Sequence, residues 1–270
     1  MGRFQWLEFD DPATKSGTPA PAGPELESGE DFTNPERVLR LADEAYRRLD
    51  YERALRLFSK VLTLDPNLEP GWAGQLKCLL DLNEIPEALT WAIKAQKLFP
   101  KSAEIIASRA CALARQGNLS EAIAFSDGAM KAGLIGWYPW VVRGEILAAS
   151  NSANAEFCMM KARELAPKEW LVALKTAQAY ARTPQEEKAV EFYKVVLSER
   201  ADLAEAWYEL GQLQVRIGLT SAAIVSLQTC VKLVPDRKKY SDALGQALRV
   251  NPLETLWRWV KRLLKGVWRS

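Results

Sequence analysis

Apolar and polar positions along this chain repeat as a block rather than as one long stripe. An alanine near the start of each predicted second helix recurs at Ala54, Ala88, Ala122, Ala155, Ala189 and Ala223, at intervals of 34, 34, 33, 34 and 34 residues. A helix-closing proline keeps the same beat at Pro66, Pro100, Pro167 and Pro235, and gives way to Leu134 and Ala201 in the two remaining places. The period predicts paired helices in hairpins, with small residues where the two helices approach most closely. Neither helix of a pair can bury its apolar stripe alone, so stacked neighbours must complete the core. The one missing residue, between Ala122 and Ala155, falls in "ASNSANA", where a turn makes a deletion cheap. Six units follow, at 35–68, 69–102, 103–136, 137–169, 170–203 and 204–235. After them Tyr240, Ala243, Leu244, Ala247 and Leu248 stand at helical spacing and predict a capping helix over 236–250.

The units resemble the tetratricopeptide repeat. The best match, "AEAWYELGQLQVRIGLTSAAIVSLQTCVKLVPD", carries Trp207, Leu210, Gly211, Gly218, Ala223 and Pro235. The second unit keeps Trp72, Ala88, Ala95 and Pro100; the first keeps Leu41, Ala42, Tyr51, Ala54, Phe58 and Pro66. The middle three are looser, with Gly117, Ala122 and Ala129, then Trp140, Gly144, Ala155 and Ala162, then Ala177, Tyr180, Ala189 and Tyr193. The resemblance implies an all-α, right-handed superhelical solenoid of about six helix-turn-helix units with a concave face.

Both ends differ from the repeats. Residues 1–34 hold Arg3 and Lys15 against seven carboxylates, with prolines and glycines through 10–33, and read as an acidic disordered arm. Ahead of its linker lies an aromatic motif, Phe4, Trp6, Leu7 and Phe9, which could dock in the groove or on a partner. At the other end Asn251 reads as an N-cap, Pro252 as the first helical residue and Glu254 as the acidic third position of an extra helix over 251–270. Its apolar residues, Trp257, Trp259 and Trp268 among them, fall in one half of a helical wheel. Arg258, Lys261, Arg262, Lys265 and Arg269 fall in the other half. Three readings stay open for this basic amphipathic helix: an anionic membrane surface, a partner's groove, or packing on the solenoid itself.

Composition narrows the chemistry. The chain has 270 residues, a net charge of +2 and no histidine, which removes Ser-His, Cys-His and His-metal sites together. Cys78, Cys111, Cys158 and Cys230 are widely spaced and read as reduced core thiols. No phosphate loop or nucleophile elbow is visible, so no catalytic residue, metal, cofactor or small-molecule substrate is expected. The modest charge argues against nucleic acid as a partner. No secretory signal or run of eighteen apolar residues appears, and a cytoplasmic protein, peripheral to a membrane if the last helix binds lipid, is expected.

The resemblance also implies where a partner would sit. In this family the second, fifth, ninth, twelfth and thirteenth positions of each first helix line the groove. Here they include Asp43, Tyr46, Arg47, Lys77, Asp81, Cys111, Arg115, Tyr138, Glu145, Gln178, Arg182, Tyr208, Gln212 and Arg216. Arg47, Arg115, Arg182 and Arg216 share one position and predict a ladder suited to an extended acidic peptide, with a merely solvated set of arginines as the competing reading. The asparagines of chaperone-tail-binding repeats are missing from these positions. The expected function is a non-enzymatic scaffold or adaptor binding a protein or peptide, the alternative a structural subunit whose terminal segments dock on partner subunits.

Overall fold

The computed structural model describes residues 32–132 and 136–249. The aromatic motif at 4–9 and the basic helix expected over 251–270 lie outside the described residues. Within them the protein is all helix, a tetratricopeptide-type solenoid with no strand among the described residues. The chain divides into two compact units, Met1–Ile135 and Gly136–Ser270. The first contains three hairpins: α1 (Pro35–Arg47) with α2 (Tyr51–Leu64), α3 (Glu69–Asp81) with α4 (Ile85–Leu98), and α5 (Ala103–Arg115) with α6 (Leu119–Ala129). The second contains α7 (Trp137–Ala149) with α8 (Asn154–Leu165), α9 (Trp170–Ala181) with α10 (Glu186–Glu199), α11 (Ala204–Arg216) with α12 (Thr220–Leu233), and a final α13 (Lys238–Arg249). Among the described residues no helix is long and apolar enough to cross a membrane.

Positions below are counted from the first residue of each first helix. The periodic alanines fall at position twenty, or nineteen in the fourth hairpin, and all six are at most 3% exposed. Small residues at position eight face them from the first helix: Ala42, Ala110, Gly144, Ala177 and Gly211 are all buried. Gly144 and Gly211 are required by close approach, because a Cβ there would stand 2.7 Å from Met159 and 2.6 Å from Leu227. The second hairpin departs, with buried Leu76 at position eight and buried Ala92 at position twenty-four, where Phe58, Met159, Tyr193 and Leu227 stand in other hairpins. Bulk has moved from the second helix to the first, which keeps the total volume.

A further periodicity escapes the side-chain pattern. Leu49, Asn83, Gly117, Asn151 and Gly218 all have positive φ, and all stand at position fifteen. The left-handed residue turns the next amide back to the helix, so that Asp50, Glu84, Asn118, Ser152 and Leu219 donate to the carbonyls of Ala45, Leu79, Leu113, Leu147 and Gln214 at 2.8–3.0 Å. This satisfies carbonyls that a helix end leaves orphaned. The fifth hairpin has Pro184 at this position, and proline cannot take positive φ. There the Thr183 hydroxyl donates to the Tyr180 carbonyl at 2.9 Å and accepts from the Gln185 amide at 3.3 Å. The deleted residue of the fourth hairpin lies after Asn151, so α8 starts at Asn154 with Ala155 second in the helix.

α13 packs on the sixth hairpin. Tyr240, Ala243 and Ala247 are buried with Leu227 and Cys230, and Trp207, Tyr208 and Ile224 flank them. The Tyr240 hydroxyl donates to Glu205 at 2.8 Å, and Lys239 donates to the same carboxylate at 2.6 Å. Leu248, which the spacing places on the same stripe, is 60% exposed.

Candidate functional site

The first helices carry the positions that the sequence assigns to a partner. Tyr46, Cys111, Tyr138, Glu145 and Gln178 are buried, Arg47, Lys77, Arg115 and Tyr208 are half-buried, and Arg182, Gln212 and Arg216 are exposed. Cys111 is therefore a core residue rather than a lining one, and Cys78, Cys158 and Cys230 are likewise buried, none of the four in a disulfide.

In the first unit, neighbouring first helices are joined through these positions. The Tyr46 hydroxyl donates to Asp81 at 2.8 Å, joining α1 to α3. Lys77 meets Glu104 at 2.6 Å, joining α3 to α5. Arg115 donates to the Leu80 carbonyl at 2.6 Å, in the last turn of α3. A cation there satisfies an orphan carbonyl at the negative end of the helix dipole. Burial raises the Asp43 carboxyl above its ordinary value, opposed by the charges of Lys77 and Arg47.

The second unit repeats the device. Arg216 donates to the carbonyl of Ala181, the last residue of α9, at the same offset of 35 residues as the Arg115–Leu80 bond. It also meets Glu186 at 2.8 Å. Arg182 donates to the Gln178 carbonyl at 2.9 Å and lies 3.7 Å from Glu145 of α7. Three of the four ladder arginines thus act on the backbone of a first helix, their own or the preceding one. The common position that suggested ligand-facing forks is also the position from which an arginine reaches a helix end.

Behind the row lies a network that the family's lining positions do not predict. Gln178 donates to both carboxylate oxygens of Glu209 at 3.0 Å, and the Tyr193 hydroxyl donates to it at 2.9 Å. Lys175, buried, donates to the Gln178 side chain at 3.1 Å. Burial raises the Glu209 carboxyl, against the bonds from Gln178 and Tyr193 that lower it. Burial and the neighbouring Glu209 together push the Tyr193 hydroxyl well up. Lys175 and Glu209 share position six, so the missed signal was a charged residue recurring on the inner side of two successive first helices. Among the described residues no group of three or more His, Cys, Asp or Glu is placed to hold a metal ion.

Comparison with known proteins fits this geometry. The tetratricopeptide-repeat family model matches residues 204–237. No curated protein matches the sequence. Among solved structures, the fold is similar to the APC/C hetero-tetramer Cut9–Hcn1, at 17% identity and a TM-score of 0.51, covering 80% of this chain and 43% of that one. This chain therefore spans less than half the length of that relative. A tetratricopeptide-repeat protein from Parabacteroides merdae is similar at 13% identity and a TM-score of 0.52, covering 80% and 85%. A thermophilic TPR protein from Thermus thermophilus is similar at 18% identity and a TM-score of 0.50, covering 80% and 100%. At these identities the likeness establishes the fold. One repeat is recognised by its sequence as a tetratricopeptide repeat, and the hairpins around it share the fold of tetratricopeptide-repeat solenoids.

Proposed function

We propose that the protein is a non-enzymatic interaction scaffold that takes up an extended peptide segment of a partner protein along the face of its first helices. The observation that carries this reading is the polar row of the second unit. Arg182, Gln212 and Arg216 are exposed beside half-buried Tyr208, on helices held in place by the Gln178–Glu209–Tyr193 bonds. A surface fixed before binding loses little ordering entropy when a partner arrives. A glutamine amide can donate to and accept from an extended backbone, and an arginine fork suits a carboxylate. Arg216 already faces Glu186, so an acidic residue of the peptide would compete for a cation that is partly engaged. The first unit, whose row is tied up by Tyr46–Asp81 and Lys77–Glu104, would support rather than select.

The test is affinity purification of partners with wild-type protein and with a Gln212→Ala/Arg216→Ala variant. Loss of specific partners from the variant, with helix content unchanged, is the expected result. An unchanged set of partners argues against this face. Attachment at a membrane surface through residues 251–270 rests on the sequence pattern alone, and vesicle flotation of the full chain decides it.

A second reading, a structural subunit of a larger complex, is favoured by α8. Phe157 and Met160 are 53% and 57% exposed on its outer side, with the Trp140 ring edge-on to Phe157 at 6.2 Å. Neighbouring exposed apolar side chains of this size mark contact surfaces. A Phe157→Ser/Met160→Ser variant that loses partners kept by the Gln212/Arg216 variant would favour it.

A further inference from the structure

α13 stands in the register of a seventh first helix, since Lys238 follows Ala204 by the same 34 residues that separate Ala103 from Glu69. In the six hairpins position eight is buried, and position eleven is at most 4% exposed at Leu79, Leu113, Tyr180 and Gln214. On α13 these positions are Gly245 and Leu248. A Cβ at Gly245 would meet nothing within 4 Å, where the equivalent atom on Gly144 or Gly211 would collide with the hairpin's own second helix. Leu248 is 60% exposed. α13 therefore presents to solvent the face that every other first helix gives to its second helix.

We propose that residues 251–270 form the second helix of a seventh hairpin and cover this face. Three observations converge on that segment. Asn251-Pro252 stands 68 residues after Thr183-Pro184, at the turn position of the one hairpin whose turn is built without a left-handed residue. Asparagine can supply the acceptor that Thr183 supplies there. Next, with the link to the second helix one residue shorter than in the fifth hairpin, as it is in the fourth, Leu256, Val260 and Leu263 take the places of Ala155, Met159 and Ala162, all at most 4% exposed. The fifth hairpin's longer link would instead set Lys261 at the place of buried Tyr193. Leu256 and Val260 lie near the middle of the tail's apolar half-wheel, and Leu263 lies within it. Gly245 then receives Val260 as Gly144 receives Met159.

The third observation is volume. At positions four and eight α13 carries Ser241 and Gly245, where α11 carries Trp207 and Gly211. A leucine in place of the usual alanine of the second helix finds room against such a face. The bulk is exchanged between helices, as it is in the second hairpin with Leu76 and Ala92. In this arrangement Arg258, Lys261, Arg262, Lys265 and Arg269 stay on the wet side. The apolar half-wheel can be buried only once, so covering α13 and lying in a membrane exclude one another.

The experiment is oxidative cross-linking of a Gly245→Cys/Val260→Cys variant of the full chain, whose four native thiols are buried. The expected result is an intramolecular disulfide that forms about tenfold or more faster than in a Gln246→Cys/Val260→Cys control, because helix packing holds the first pair within reach. Equal rates in the two variants overturn the proposal. A second measurement needs no substitution: hydrogen exchange of residues 253–267 in the wild-type chain, with and without phosphatidylglycerol–phosphatidylcholine vesicles. Slow exchange without vesicles, unchanged by adding them, supports the seventh hairpin. Slow exchange only with vesicles, or fast exchange in both, overturns it.

Discussion

Gly74 of α3 is where the packing of the first unit is least forgiving. A Cβ there would stand 2.2, 2.3 and 2.6 Å from the Cε1, Cζ and Cδ1 atoms of Phe58, a ring only 1% exposed. Ordinary carbon contacts lie near 3.5–4 Å, so Gly74→Ala must drive the ring back by on the order of 1 Å within a close-packed core. Overpacking of this kind costs about 1–3 kcal/mol. The same substitution gains about 1 kcal/mol of helix propensity, leaving a net effect between about zero and a loss of about 2 kcal/mol. Gly128→Ala in α6 isolates the propensity gain, since its nearest neighbour is the Ile106 Cγ2 at 3.9 Å. That variant should gain about 0.5–1 kcal/mol. Urea denaturation followed by circular dichroism reads both, with hydrogen exchange of α2 and α3 added because repeat arrays need not unfold in two states. Phe58→Leu should rescue Gly74→Ala, with a coupling of about 1 kcal/mol in a double-mutant cycle. Midpoints that shift together in the two alanine variants, or additive effects in the cycle, would refute the close approach of Gly74 and Phe58.

Three further outcomes follow from burial and charge. Glu205→Ala removes the acceptor of Tyr240 and Lys239; the exposed Lys239 contributes little, but the lost Tyr240 bond should speed exchange of α13 about tenfold while leaving α1–α6 unchanged, as hydrogen-exchange mass spectrometry would show. Glu209 has its folded carboxyl pKa raised above the ordinary 4.5 by burial. The fold therefore holds a proton that the unfolded chain has released, and its stability falls as pH rises through the folded value. Glu209→Gln should remove that fall, so the wild-type urea midpoint should drop relative to the variant between pH 4 and pH 7; a constant gap contradicts the shift. Burial pushes the Cys230 thiol up to about 11 and raises Cys158 as well. With all four thiols buried, alkylation at pH 8 should run at least about a hundredfold slower in native than in denatured protein, and a fast-reacting native thiol would contradict the packing.

The hairpins were legible because their spacing is written in alanine, the residue that close helix approach demands, and in prolines that stand two residues past α2, α4, α8 and α12. The left-handed turn position was less so. Glycine marks it at Gly117 and Gly218, but Leu49, Asn83 and Asn151 fill it elsewhere, and buried Leu49 accepts the backbone strain in exchange for core contact. The second hairpin hid its small residue for a different reason: Gly74 sits at position six, where Phe58 of the preceding hairpin needs space, rather than at position eight. The candidate face was legible as a row of residues but not as a set of bonds. Arg115 and Arg216 spend donors on backbone carbonyls of the preceding first helix, partners that no side-chain pattern reveals. Glu209 was missed because its position lies inside the family's lining set rather than on it.

The central claim is that the first helices form the docking face. Hydrogen exchange of the full chain, alone and saturated with a co-purified partner, tests it directly. The account predicts slowed exchange in α9 and α11, centred on residues 178–182 and 208–216, with α10 and α12 unchanged. Slowing confined to α8, α10 and α12, or to the chain termini, would contradict it.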